Sequence, residues 1–350
     1  MKNIKLLKLI SIFTVFASSQ LFASQSQLLA SPKIEDRYLN NDECNKNTLH
    51  KATHRPWLEE YEEHWKSETK PATFELYQEE LRKFVVLHYT AGTNVNGTYA
   101  TYNERGVSAH YTLANDGTIF HTVNEGANIA YHAGPSSFAG KTGLNYYSIG
   151  IEHSNPGFTM DGKKFSAFSD PIQFSGDDRW WYPFNTKQFQ SSMQVTRTLQ
   201  EKYKIPGWYV VTHADIAPSR KSDIGPMWNY KGAFEDYGVG YFPSETHKVN
   251  LSDFSALSNN DYLSFIGAFG YDAKDGNVVQ AYQFHFSTAN ISGELVDSTK
   301  ESILKHIIAV YDHTDKITGE KFDFFREKFT EWIKANPEKQ NVFGEYLNIQ

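Results

Sequence analysis

FVVLHYTAG, residues 84–92, and WYVVTHADIAPSRKSDIGP, residues 208–226, decide how this chain is read. Each opens on an aromatic and β-branched run, Phe84–Tyr89 and Trp208–His213, and each run carries a histidine at its end, His88 and His213. Short apolar runs bounded by turn formers read as buried strands. Three more such runs lie between them: Ala109–Ala114 (AHYTLA), Thr118–Val123 (TIFHTV) and Ser148–Glu152 (SIGIE). Asn115-Asp116-Gly117 joins the first two and marks a tight hairpin. Asn185 with Gln188 reads as a capping box that opens a helix. That helix carries Phe189, Met193, Leu199 and Tyr203 and ends before Pro206. Residues 54–245 therefore form an α/β domain. Met160–Pro183, polar with interspersed glycines and aromatics, reads as a surface loop inserted into it.

Outward from this region the texture changes twice. From Asn250 the pattern is helical, with faces at Tyr262–Phe269, Val278–Phe286, Ile303–Tyr311 (capped by Asp297 or Ser298) and Phe325–Ile333, the last stopped by Pro337. Residues 250–350 thus make a small all-α domain. Upstream, Lys2, Lys5 and Lys8 precede an apolar stretch from Leu9 to Phe16 and small and polar residues to Ser26, the layout of a secretory signal peptide. Its cut is expected after Ser19 or Ala23, so 1–23 is the signal and 24–53 a polar arm. No later segment reaches the ~20 apolar residues of a membrane span. Export to the periplasm or the medium follows, with no transmembrane segment after cleavage. Cys44 lies too far past the apolar stretch for a lipoprotein.

The 350 residues fit two domains at roughly 150 residues each. With 34 basic and 41 acidic residues the net charge is −7, which argues against nucleic acid as the main partner. The single cysteine excludes an intramolecular disulfide and cysteine-based metal clusters. A monomer is expected.

The chemistry concentrates at strand ends, where side chains reach a cleft from a rigid base. Ten residues after His213 comes Asp223, in a loop flanked by Pro and Gly. His88, His213 and Asp223 make two imidazoles and a carboxylate, a three-ligand zinc set that leaves one position for water. Each histidine alone also fits a satisfied hydrogen bonder. Glu152 closes an otherwise apolar strand, where a carboxylate is costly unless it faces a cleft, metal or partner. It reads either as a general base or as a hydrogen-bond partner behind a histidine. Lys221, two residues before Asp223, reads as an oxyanion-stabilising cation or as a solvated lysine.

FVVLHYTAG, VSAHYTLANDGTIFHTVNEGANIAYHAG, LNYYSIGIEHSNPG and VVTHADIAPSRKSDIGP together resemble the zinc-dependent N-acetylmuramoyl-L-alanine amidases, a family that includes the peptidoglycan recognition proteins and phage T7 lysozyme. The resemblance implies a central mixed β-sheet flanked by helices. It matches the family's zinc ligands to His88, His213 and Asp223, its catalytic glutamate to Glu152 and its catalytic lysine to Lys221. His132, in YHAG, matches a histidine near substrate, with a scaffold role as the alternative; His110 is expected to support the sheet. The nearest group within the family is the periplasmic amidases that also trim anhydromuropeptides. The implied partner is peptidoglycan or its muropeptides, and the bond is the amide between the lactyl group of N-acetylmuramic acid and L-Ala. A recognition protein that binds muropeptides without cutting them, and a zinc peptidase cutting the stem, are the alternatives. The segment from GAFGYD to about Leu304 resembles a three-helix peptidoglycan-binding domain. Ile224 stands where the family commonly has Pro, which is expected to loosen that loop.

Overall fold

The computed structural model describes residues 34–36, 54–56, 82–126, 128–243, 247–344 and 346–347. The expected signal peptide lies outside these, as does the polar arm except for Ile34–Asp36. The central sheet has six strands: β1 (Ile34–Asp36), β2 (Phe84–Tyr89), β3 (Tyr111–Leu113), β4 (Ile119–His121), β5 (Ser148–His153) and β6 (Val210–Thr212), in the order β1-β4-β3-β5-β2-β6. It is mixed: β3 and β4 are an antiparallel hairpin, and the remaining neighbours run parallel. The hairpin turns at Asn115–Gly117, where Gly117 takes φ +90° and its N–H bonds the Ala114 carbonyl at 3.0 Å.

Two helices pack beside the sheet ahead of β6 in the chain. Helix α1 (Val95–Arg105) starts at Asn94, whose side chain accepts from Gly97 N–H, and stops at left-handed Gly106. Helix α2 (Thr186–Tyr203) starts at Asn185, which accepts from Lys187 N–H at 2.9 Å. The expected capping box does not form. Gln188 turns inward instead, and its Nε2 donates to the Leu113 and Ser154 carbonyls at 3.0 and 3.1 Å. Two buried strand-end carbonyls outcompete the helix terminus for that amide, because an unpaired buried carbonyl costs more than an unmade cap.

Alternation sorts the core. In β2, Val85 and Leu87 face α2 with Ile149 and Ile151 of β5, while Phe84 and Val86 face the opposite side. That opposite side is covered by the helical region: α5 (Asn259–Ala268), α6 (Val278–Phe286), α7 (Asp297–Tyr311) and α8 (Asp323–Ala335). They follow α3 (His213–Ile216) and α4 (Tyr230–Tyr237) in the chain. One continuous apolar core joins Phe84, Trp181 and Trp208 to Tyr271, Phe284 and Phe322. Trp208 stacks on Phe322 at 5.1 Å and Trp181 meets Phe284 edge-on at 5.3 Å. Gly270, at φ +112°, lies so close to Phe138 that a Cβ would come within 2.6 Å of its ring.

Three local expectations are corrected. The insertion is not an irregular loop: Phe158–Thr159, Ile172–Gln173 and Trp180–Trp181 form a small antiparallel sheet, anchored by buried Trp181 and Tyr182. Helix α7 begins at Asp297 with no side-chain cap; Val296 holds the cap position. The last strand ends at Thr212, and His213 opens α3, because Thr212 and Asp215 cap that helix reciprocally. The T-x-x-D spacing at 212–215 carried that signal.

Candidate active site

His88 is the fifth residue of β2, on the face shared with Phe84 and Val86. Parallel pairing puts Glu152 of β5 directly beside it. His213 enters from the start of α3 and Asp223 from the loop after it. The three donor atoms converge: His88 Nδ1 lies 2.9 Å from His213 Nδ1, and Asp223 Oδ2 lies 3.0 Å from each. All three residues are buried.

The other ring nitrogens are committed elsewhere. His213 Nε2–H donates to the Ala133 carbonyl at 3.0 Å. His88 Nε2–H donates to His132 Nδ1 at 2.9 Å, and His132 Nε2–H to Ser148 Oγ at 3.2 Å. Both Nδ1 lone pairs therefore point at one spot beside a carboxylate. Burial, then the neighbouring His213, holds His88 down to about 4, so its imidazole is neutral at pH 7. Two imidazoles, each steadied by a hydrogen bond from behind, and a carboxylate fit a divalent zinc site.

The cleft in front of these atoms has a volume of about 390 Å³. Glu152 and Lys221 line it. Glu152 Oε2 is buried and has no hydrogen-bond partner among the described residues. Burial, and then the Asp223 carboxylate, push Glu152 up to about 8, while Lys221 pulls the other way. His132 also lines the cleft, with both nitrogens engaged by His88 and Ser148. His110 lies deeper, accepting from Gly150 N–H and donating to the Asn128 carbonyl, a tie between strands. Ile224 is buried in the core on the α2 side, so packing fixes the loop that the missing proline was expected to loosen.

Several site residues escaped the sequence reading. Arg220 donates to the Ala133 and Pro135 carbonyls at 2.6 and 2.9 Å, holding the same carbonyl that His213 uses. Tyr89 bonds Ser222 at 3.0 Å and steadies the loop that carries Lys221 and Asp223. One signal was available: Gly150 sits mid-strand, and a glycine there marks a close approach. A Cβ on it would lie 2.4 Å from the His132 ring.

A mixed sheet with these donors and an unpaired carboxylate at its strand ends fits the site of a metal-assisted hydrolase. Residues 79–226 match the family described as N-acetylmuramoyl-L-alanine amidase, and the chain carries a domain of that family. It is 29% identical to N-acetylmuramoyl-L-alanine amidase AmiD of Escherichia coli K12 over 248 residues, 65% of this chain and 83% of AmiD. It is 32% identical to 1,6-anhydro-N-acetylmuramyl-L-alanine amidase AmpD of the same organism over 124 residues, 35% of this chain and 55% of AmpD. The solved complex of E. coli AmiD with anhydro-N-acetylmuramic acid-L-Ala-D-gamma-Glu-L-Lys is similar with a TM-score of 0.55 at 27% identity, covering 68% of this chain and 91% of AmiD. AmpDh3 of Pseudomonas aeruginosa shares the fold, with a TM-score of 0.56 at 24% identity over 69% of this chain and 96% of AmpDh3.

Proposed function

We propose that this chain is an exported, zinc-dependent N-acetylmuramoyl-L-alanine amidase. It hydrolyses the amide joining L-Ala to the lactyl group of N-acetylmuramic acid, ordinary or 1,6-anhydro, in peptidoglycan or its muropeptides. The observation that carries the reading is the meeting of His88 Nδ1, His213 Nδ1 and Asp223 Oδ2 within 3.0 Å of one another beside an unpaired Glu152 oxygen. His88, His213 and Asp223 would hold zinc, which when bound supplies a Lewis acid and a water of lowered pKa.

Glu152, ionised beside the cation that His88, His213 and Asp223 would hold, accepts the proton of the attacking water through its free oxygen. Lys221 offers its ammonium to the negative charge that develops on the lactyl carbonyl oxygen. Glu152 then returns the proton to the departing L-Ala amine. His132 presents its ring edge to substrate and holds His88 from behind. The catalytic part spans 54–245. Residues 250–350 complete the core on one face of the sheet, and the protein acts as a monomer. No helix among the described residues is long and apolar enough to cross a membrane.

A non-catalytic recognition protein has no use for a complete donor set beside an unpaired carboxylate, which disfavours that alternative. Digestion of ordinary and anhydro muropeptides, with products separated by mass, tests the reading. Free stem peptides beginning at L-Ala are expected. Intact muropeptides, or cuts within the stem, would overturn it.

A further inference from the structure

We infer that Asp215 is a positioning residue for the metal centre, clamped from the helical region by Tyr271 and His285, so that those helices belong to the scaffold of the site. This rests on the zinc-site reading above.

Helix α3, which begins with His213, is four residues long. A helix of one turn does not hold its own shape in water, so its neighbours must fix it. Asp215 gathers those neighbours. Its Oδ2 accepts from Thr212 N–H at 2.8 Å, and Thr212 Oγ1 accepts from Asp215 N–H at 3.2 Å. From the helical region, Tyr271 Oη–H donates to Asp215 Oδ1 at 2.6 Å, and His285 Nδ1–H donates to Oδ2 at 2.9 Å. Asp215 is 1% exposed, so these donors replace its water entirely. A buried carboxylate that loses one of them pays the full desolvation of an unmet lone pair, and the helix moves to avoid it.

The clamp reaches Asp223 as well. Ala214 N–H donates to the Asp223 carbonyl at 2.6 Å, tying the two ligand segments together. The His285 ring stacks on Tyr230 at 4.1 Å, and Tyr230 Oη–H donates to the Gly225 carbonyl at 3.2 Å, two residues past Asp223. Tyr271 and His285 therefore brace the segments that present both His213 Nδ1 and Asp223 Oδ2. Groups bonded directly to a ligand change metal affinity by ~10–100-fold. Asp215 acts one step further back, through the backbone, and about three- to tenfold is expected.

The test measures zinc dissociation constants by competition with a chromophoric chelator, on the full chain at 25 °C, beside melting temperatures and steady-state kinetics. Asp215→Asn and Tyr271→Phe should each weaken zinc about three- to tenfold and lower kcat at subsaturating zinc, with KM little changed. Asp315→Asn is the control. Asp315 accepts from Gly207 N–H at 2.7 Å across the same interface, but at the opposite end of β6 from His213. It should lower the melting temperature and keep wild-type zinc affinity. Wild-type affinity in Tyr271→Phe and Asp215→Asn, with only the melting temperature lowered, would overturn the inference, as would equal weakening by Asp315→Asn. If Asp215→Asn does not fold, Tyr271→Phe decides. A wild-type chain that binds no zinc refutes the metal reading and this inference together, whereas zinc binding indifferent to the clamp refutes this inference alone.

Discussion

Glu152 shares its register with His88 on one side and Thr112 on the other, yet one of its oxygens is buried without a partner among the described residues. An ionisable group kept that way costs stability and is retained for chemistry. Glu152→Gln should keep zinc, melt no lower than wild type and lose about 10²–10⁴-fold in kcat, the range for a positioned base. Turnover within a few-fold of wild type would remove it from that role. Asp223→Ala should behave oppositely: metal analysis should find zinc lost together with activity, while circular dichroism reports the wild-type fold. Gly150→Ala drives a methyl into the His132 ring, so His132 must move and take His88 with it. A loss of about 1–3 kcal/mol is expected from urea titration, as for other overpacked sites.

Between elements, Glu125 joins the turn after β4 to the end of α2. Its carboxylate accepts from His121 Nε2 at 2.8 Å, Lys202 Nζ at 2.9 Å and Tyr203 Oη at 3.2 Å. Burial works to raise its pKa, but the hydrogen bonds from His121 and Lys202 outweigh that and hold it far below the usual carboxylate range. A depressed folded pKa means that the stabilisation is complete above the unfolded value of about 4.5 and fades as pH falls below it. Glu125→Gln should therefore cost about 1.5–3 kcal/mol at pH 7, the worth of charge-assisted hydrogen bonds. The gap between variant and wild type should stay constant above about pH 5 and narrow below 4.5. A gap that ignores pH would assign Glu125 a packing role alone. This junction was invisible in the sequence, because Glu125 and Lys202 are 77 residues apart and no local pattern pairs them.

At the scale of the molecule, the helical region is packed into the same core as the sheet. A chain ending before Asn250 would strip Phe322 from Trp208, Phe284 from Trp181 and Tyr271 from Phe138. Each large apolar side chain uncovered forfeits about 1.5–3 kcal/mol, and several together exceed the 5–15 kcal/mol by which domains are stable. The shortened chain should aggregate or melt far below the full chain, and its activity should fall alike on soluble muropeptides and insoluble sacculi. Wild-type turnover of soluble muropeptides by that chain, with loss confined to sacculi, would show the helices to be a separable binding module.

The sequence by itself determined the strand segments, the Asn115–Gly117 hairpin, the helical texture after Asn250 and the histidines that close two apolar runs. Period-two alternation, turn chemistry and 3.6-residue spacing are local properties, legible within a dozen residues. The family motifs named His88, His213, Asp223, Glu152 and Lys221 for the same reason. Only the tertiary structure decided what those segments meet. Gln188 left its cap for two strand-end carbonyls, the insertion found its own sheet around Trp181, and Asp215 acquired Tyr271 and His285 from residues 56 and 70 positions away. Burial removes water from each of these polar groups, and the partner that replaces it is set by which surfaces pack together, a property of the folded chain and not of any local run.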